Sequence, residues 1–299
     1  MSKTILVTGG TGFIGSNIVN YFKDKNYNIV VIDRKIKNHN KYENVKYLQF
    51  DLTEHDKLDI FLKDYNFDYI FHEAAIVDTT YNLDDIYEIN TNAINSLIKI
   101  AEKSDGKLIY ASSCAVYGNS KIPNKVNYQE IPLNKYGESK LLQDNIVRSY
   151  LNNPESRIPI VGLRYSNVYG NGESHKGNMS SMIYRINKEI KENKLVKLFE
   201  YGEQKRDFVY VEDIVGYNVA SAFSNKTGIF NAGYGNSFSF NDVICFFKLY
   251  YNKNIDVEFI KNPYDFYQNH TLCETDENLY KPIFDLKNGM RDYLQKSMF

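Results

Sequence analysis

The sequence predicts an α/β fold, a doubly wound parallel sheet with a smaller α+β part beside it. Three observations predict it. Short apolar, β-branched runs alternate with stretches whose apolar residues recur at helical spacing. A glycine-rich turn joins the first such run to the first helical stretch. After Asn167 the alternation gives way to short strands interleaved with helices.

Each element follows in order. Thr4 to Thr8 is a β-branched strand. Ile14, Ile18 and Phe22 then fall at i, i+4 and i+8, one helix face. Ile29 to Ile32 is a fully apolar strand ending at Asp33, and Val45 to Phe50 is another, ending at DLT. DYIFHEAA, from Asp68, is the fourth strand, and a helix carrying Ile89, Ala93, Leu97 and Ile100 follows. KLIYASS, from Lys107, is the fifth strand, a helix runs from about Leu133 to Leu151, and IPIVGLRYS, from Ile158, is the sixth strand. Strands alternating with helices place a parallel sheet between two helical layers. With the glycine turn, this is a Rossmann-type arrangement. The expected division is a dinucleotide-binding domain over 1–166 and a mainly substrate-binding part over 167–299. The second part should contain strands VKLFE, GIFNAG and DVEFI, the run RDFVYVEDI, and helices over Ser180 to Asn193 and Phe240 to Tyr251.

Composition narrows the function. Of 299 residues, 43% are hydrophobic and 24% charged, the balance of a folded globular chain. A net charge of −1 argues against a nucleic-acid footprint. No apolar run approaches the roughly 18 residues that span a bilayer. Cys114, Cys245 and Cys273 are too scattered for a disulfide framework or a metal cage, and read as reduced thiols. The expectation is a cytoplasmic enzyme without metal, nucleic acid or membrane partner, assembling as a homo-oligomer.

In TGGTGFIG, Gly9, Gly12 and Gly15 close a strand and open a helix. The first allows a tight turn, and the second lets the backbone approach a pyrophosphate at the helix N-terminus, beside Phe13 and Ile14. Asp33, at the end of the next strand, is placed to accept hydrogen bonds from an adenosine ribose, which favours NAD. Arg34 and Lys35 follow at once and could instead hold the 2′-phosphate of NADP. Asp51 and Leu52 should meet the adenine, Ala74 and Ala75 leave room across the strand ends, and Asn90 completes the expected cofactor set.

Tyr136 and Lys140 lie at i, i+4 on one helix face, and Ser113 ends the fifth strand. A phenol with an ordinary pKa near ~10 is a poor base at neutral pH. An adjacent ammonium should lower it, so that Tyr136 exchanges a proton with a sugar hydroxyl as hydride moves. Ser113 would bind the same oxygen, and Lys140 the nicotinamide ribose.

These residues resemble the extended short-chain dehydrogenase/reductase family, the NAD-dependent epimerases and dehydratases of nucleotide sugars. The likeness covers essentially the whole chain. It is strongest to the branch that epimerises ADP-heptoses at C6, through FHEAA, YASS, GLRYSNVYG, HKGNMSS, VKLFEYGEQKRDFVYVEDI, NPYDFYQNHT and FDLKNGMRDYL. The resemblance implies a nucleotide-sugar substrate and a second acid/base group, the lysine of the HKG loop, which is Lys176 here. It also implies substrate contacts from Asn167, Arg206, Phe199 and Tyr267, with His175 beside them as a loop residue. An arginine suits a diphosphate through its paired donors. The chain departs from the family where YSNVYGNG replaces YFNVYGPR, putting Ser166 at an aromatic position, and in the AAIVDTT loop. A 4-epimerase, 4-dehydrogenase or reductase of another nucleotide sugar therefore stays open.

Overall fold

The structure, a computed structural model, describes residues 2–36, 42–77, 85–263 and 267–296. Seven strands form one parallel sheet: β1 (Lys3–Thr8), β2 (Tyr27–Asp33), β3 (Val45–Gln49), β4 (Tyr69–His72), β5 (Lys107–Ser113), β6 (Ile160–Tyr165) and, from the second half of the chain, Gly228–Ala232. Its spatial order is Gly228–Ala232, β6, β5, β4, β1, β2, β3. The order reverses between β1 and β4, the switch point where doubly wound sheets bind ligands at the carboxyl ends of their strands.

Side-chain alternation decides which helices cover which face. Val7, Val31, Phe71, Ile109 and Leu163 pack with α1 (Phe13–Phe22). Leu6, Ile32, Ile70, Leu108 and Ile160 point the other way. They pack with Leu58 of α2 (His55–Phe61), and with the helix that starts as α3 (Asp85–Tyr87), passes through a π turn at Glu88–Asn92 and continues as α4 (Ala93–Ser104). Val147 of α5 (Lys135–Leu151) joins the same layer.

The rest of the chain supplies β7 (Asn167–Tyr169), α6 (Met182–Lys191), β8 (Val196–Phe199), β9 (Lys205–Arg206), β10 (Phe208–Tyr210) and α7 (Val211–Phe223). Then come the sheet strand named above, β11 (Gly228–Ala232), β12 (Phe238–Ser239), α8 (Phe240–Tyr251), β13 (Val257–Ile260) and α9 (Leu286–Lys296). Three two-stranded pairs, β10 with β7, β12 with β9 and β13 with β8, frame a second core. That core joins Ile183 and Ile186 of α6, Val243 and Phe247 of α8, and Met290 and Leu294 of α9.

One reading of the second half changes. GIFNAG, expected in the smaller part, is β11 and pairs with β6 from Gly228↔Val161 to Ala232↔Tyr165. It covers what would otherwise be an exposed sheet edge. The run RDFVYVEDI holds several elements. It breaks at Asp207, and at Val211 it becomes α7, whose first turn holds Glu212 and Asp213 where the helix dipole favours acids. Residues Ile214 and Tyr217 of α7 pack in the large-sheet core.

Helix α5 is tied to the sheet by buried charge. Arg164, on β6, is fully buried and meets Asp144 of α5 at 2.8 Å through Nε and 2.7 Å through Nη2. Its Nη1 lies 2.7 Å from Glu130, and its guanidinium stacks 4.9 Å from the centre of the Tyr117 ring. Tyr110 of β5 donates to the other Asp144 oxygen at 2.8 Å. Removing one partner of such a pair strands the other charge without water. Asp144→Asn is therefore expected to cost about 3–5 kcal/mol of folding stability. Urea denaturation measures it, and a loss below about 1 kcal/mol would put the anchor elsewhere.

Candidate active site

The site lies at the carboxyl ends of β1, β4 and β5. At the end of β1, Gly9 has φ +66°, a left-handed conformation that costs other residues about 1–2 kcal/mol. A Cβ there would come within 2.7 Å of the Ala74 backbone. The turn therefore lies directly on the exit of β4, with Ala74 and Ala75 half-buried beneath it. A Cβ on Gly15 would meet the Gly9 carbonyl at 2.3 Å, so α1 starts pressed against the turn. Gly12 is the N-cap of α1 and brings no capping side chain to its first amides. This is a cradle for an anion at a helix N-terminus, open to backbone approach, and it fits a dinucleotide pyrophosphate.

Asp33 closes the far side. Thr11, in the turn, donates to Asp33 Oδ2 from its amide at 3.2 Å and from its hydroxyl at 2.6 Å. That pairing fixes the carboxylate at the end of β2. Arg34 and Lys35 are exposed immediately beyond it. Asp51, also exposed, caps the Leu52–Glu54 turn by accepting from the Thr53 amide and hydroxyl, each at 3.0 Å. Asn90 is fully buried and acts as a latch. Its Oδ1 accepts from the Ile76 amide at 2.8 Å, while Nδ2 donates to the Ile76 carbonyl at 3.1 Å and to Ser139 of α5 at 3.0 Å. It holds the β4 exit against α5. The AAIVDTT loop beyond Val77 and residues 264–266 of NPYDFYQNHT lie outside the described residues.

Tyr136 meets Ser113 because α5 starts very close to the β5 exit. Asn134 caps the helix by accepting from the Gly137 amide at 2.9 Å. A Cβ on Gly137 would sit 2.7 Å from the Ala115 carbonyl, two residues past Ser113. The Ser113 hydroxyl accepts from the Ala115 amide at 3.1 Å and hydrogen-bonds the Tyr136 phenol. Burial nevertheless raises the Tyr136 pKa, and the Ser113 bond opposes that shift. The expected lowering by Lys140 is absent. The buried ammonium donates instead to the Ala111 carbonyl at 2.8 Å and to Gln143 Oε1 at 3.3 Å, the acceptors within its reach along β5 and α5. Burial pushes Lys140 down to about 8, against the pull of Glu73 and Asp144.

Lys176 lies in the Ser174–Met179 turn, which Glu173 organises. The Glu173 carboxylate is buried and accepts from the Gly170 amide at 3.0 Å, from the Ser181 amide at 2.5 Å and from the Ser181 hydroxyl at 2.9 Å. Asn17 of α1 fastens the same loop through the Asn171 carbonyl at 2.8 Å. The Lys176 ammonium then stands 5.3 Å from the ring centre of Phe13, in the glycine turn. Burial lowers its pKa, and Glu173 opposes the shift. His175, its neighbour, is exposed.

A second cluster gathers the other expected substrate residues. The buried Arg206 guanidinium lies 4.8 Å from the Tyr267 ring centre, and Tyr267 meets Phe199 edge-on at 5.9 Å. Asn167 donates from Nδ2 to Thr271 at 3.0 Å, so it braces this segment. Gln268 links the cluster to the Ser113 turn, donating to the Gly118 carbonyl at 2.7 Å.

Three residues of the site escaped sequence reasoning. Thr11 orients Asp33. Asp207 accepts from the amides of Tyr234, Gly235 and Cys273 at 2.8 to 3.1 Å and so ties two other segments to its own. Glu73, just past β4, accepts from the Tyr165 hydroxyl at 2.9 Å and has its other oxygen sealed from solvent. Among the described residues no cluster could hold a metal ion, and no helix is long and apolar enough to cross a membrane.

Residues 5–233 match the model of the NAD-dependent epimerase/dehydratase family. The chain belongs to this family. It is an enzyme of the epimerase and dehydratase class, and a nicotinamide dinucleotide is its cofactor, in keeping with the glycine cradle. The solved ADP-L-glycero-D-manno-heptose-6-epimerase of Helicobacter pylori is 37% identical, with 99% of this chain and 96% of that one covered and a TM-score of 0.88. A UDP-N-acetylglucosamine 4-epimerase of Methanobrevibacter ruminantium, solved with UDP-N-acetylmuramic acid, is 27% identical, covering 99% and 98%, also at 0.88. A UDP-glucuronic acid 4-epimerase of Bacillus cereus, solved with UDP-glucuronic acid and NAD, is 25% identical over 99% and 100%, at 0.84.

The cradle yields a direct expectation. Gly9→Ala forces a left-handed alanine against the Ala74 backbone, and should weaken NAD binding at least about tenfold, equivalent to 1.4 kcal/mol. Calorimetric titration with NAD measures it. Unchanged affinity would mean that the turn is not the pyrophosphate site.

Proposed function

We propose that this enzyme epimerises a nucleotide-activated heptose at C6, interconverting ADP-D-glycero- and ADP-L-glycero-D-manno-heptose. The observation that carries the reading is Lys176, a partly desolvated ammonium held over Phe13 of the glycine turn by a loop built for that purpose. The full-length likeness to the Helicobacter pylori heptose epimerase supports the choice of sugar.

The chemistry follows from what epimerisation requires. The bound nicotinamide supplies a reversible hydride acceptor. The hydride returns to the opposite face of the same carbon, so the substrate oxygen lies in two different places in the two half-reactions. One acid/base group cannot serve both. Tyr136, hydrogen-bonded to Ser113, handles the proton on one side, and Lys176 handles it on the other. Burial brings the Lys176 ammonium closer to neutral titration, which suits proton exchange. Arg206, with Tyr267 and Phe199 around it, binds the diphosphate and nucleotide from the 167–299 part of the chain. Asp33, held by Thr11, accepts the adenosine ribose and disfavours a 2′-phosphate, so NAD should bind more tightly than NADP. A 4-epimerase acting on a UDP-sugar is the second reading, favoured by the equal TM-score of the Methanobrevibacter ruminantium enzyme.

Nuclear magnetic resonance of the product, with ADP-D-glycero-D-manno-heptose and no added cofactor, tests the reading. Inversion at C6 is expected. Stoichiometric NADH would point to a dehydrogenase, and turnover of UDP-sugars alone to the second reading. Tyr136→Phe and Lys176→Met should each reduce net epimerisation by about 10²–10⁴-fold. Neither should unfold the protein, because each removes a polar tip rather than core packing. Parental turnover in Lys176→Met would end the two-base account.

A further inference from the structure

Asn17 is a side chain beside the site that neither the glycine turn nor the two basic groups account for. It lies on α1 four residues after Phe13, so the two share a helix face with Ser16. Its side-chain amide carries two N–H donors, and both are used. Nδ2 donates to the Phe13 carbonyl at 2.8 Å, which fixes the side chain against its own helix. It also donates to the Asn171 carbonyl at 2.8 Å, in the loop that carries Lys176.

That loop is shaped for the contact. Gly172, next to Asn171, has φ +98°, a backbone conformation that favours glycine. A Cβ there would stand 3.3 Å from Asn17 Nδ2, 3.6 Å from Ser16 Oγ and 3.7 Å from the Phe13 ring. The missing side chain lets the loop backbone lie on the α1 face. Glu173 serves a different end, because its carboxylate binds Gly170 and Ser181, both in the loop itself. It sets the shape of the loop, and Asn17 sets its place. Four residues beyond Gly172, the Lys176 ammonium stands 5.3 Å from the Phe13 ring centre. The same helix opens at Gly12, the N-cap in the cradle that fits a pyrophosphate. One helix therefore meets the dinucleotide seat with its N-terminus and the lysine loop with its side.

We propose that Asn17 is a positioning residue: its hydrogen bond to Asn171 registers the Lys176 loop on α1, and so sets where the Lys176 ammonium stands relative to the bound dinucleotide. The inference rests on the epimerase reading, in which Lys176 handles the proton in one of the two half-reactions. Tyr136 is held by Ser113 and α5, apart from this contact. Loss of Asn17 should therefore unbalance the two half-reactions rather than weaken both.

Asn17→Ala removes the bond, and Asn17→Asp keeps the shape but turns a carboxylate toward two carbonyls. In the NAD-loaded enzyme, amide hydrogen exchange over residues 172–180 should be severalfold faster in both variants than in the parent. Net epimerisation should fall about 10- to 10²-fold, the cost of displacing a reacting group by about 1 Å. Each 6-epimer is then offered separately, and reduction of the bound cofactor is read by absorbance. The epimer that fails in Lys176→Met should react slowly in Asn17→Ala, and the other at the parental rate. Adding Asn17→Ala to Lys176→Met should cost nothing further, because the lysine it places is gone. Equal slowing of both epimers, additive losses in the double variant, or unchanged exchange over 172–180 would overturn the proposal. Parental turnover in Lys176→Met would remove the two-base reading and this inference with it. An inactive Lys176→Met beside a fully active Asn17→Ala would overturn this inference alone. If Asn17→Ala folds poorly, Gly172→Ala decides, because an alanine there lifts the same loop from α1. It must produce the same imbalance between the epimers, and balanced rates refute the registration.

Discussion

The buried pairing of Arg164 with Asp144 is the constraint on which the site depends. The proposed catalysis by Ser113, Tyr136 and Lys140 needs a strand end and a helix held in one register, and no hydrogen-bonded ladder joins a helix to a sheet. Apolar packing sets their spacing but resists sliding weakly, because it has little direction. A fully buried guanidinium does have direction. Arg164 holds α5 through Asp144, the preceding loop through Glu130, and the ring of Tyr117 just beyond Ser113. Gly137 then lets the start of α5 touch the Ser113–Ala115 turn, and Tyr136 arrives beside Ser113 as a consequence. Such a pair adds little net stability over an apolar substitute, and its value here is the geometry it specifies.

A second constraint comes from charge in a dry place. Lys140 and Arg164 are both withdrawn from solvent; burial pushes Lys140 down to about 8, and Asp144 supports both charges. At the opposite edge the Glu173 turn does the same for Lys176 with backbone amides in place of a counter-cation.

Much of this was legible in the sequence because it is local. The alternation of apolar runs, TGGTGFIG between a strand and a helix, and Tyr136 and Lys140 one helical turn apart are patterns of neighbours, and backbone periodicity alone turns them into structure. What was not legible depends on distant partners. Nothing in GIFNAG says that it pairs with β6 rather than within the smaller part. Glu73 looks like any carboxylate after a strand until Tyr165, 92 residues on, is seen to donate to it. Lys140 lies on the expected face, yet its ammonium takes the Ala111 carbonyl, because a buried cation takes the best acceptor in reach. Asn90 and Asp51 were read as cofactor ligands from position, and the structure adds the latch and the cap in which their side chains take part.

The account's central claim is that one carbon loses a hydride and regains it on its other face, with protons handled by two groups of the same chain. The most direct measurement is the fate of an isotope. ADP-D-glycero-D-manno-heptose carrying deuterium at C6 should yield the inverted product with the deuterium still at C6, because the hydride never leaves the site. Exchange of that deuterium with solvent, or an unchanged C6 centre with inversion elsewhere on the sugar, would contradict the account.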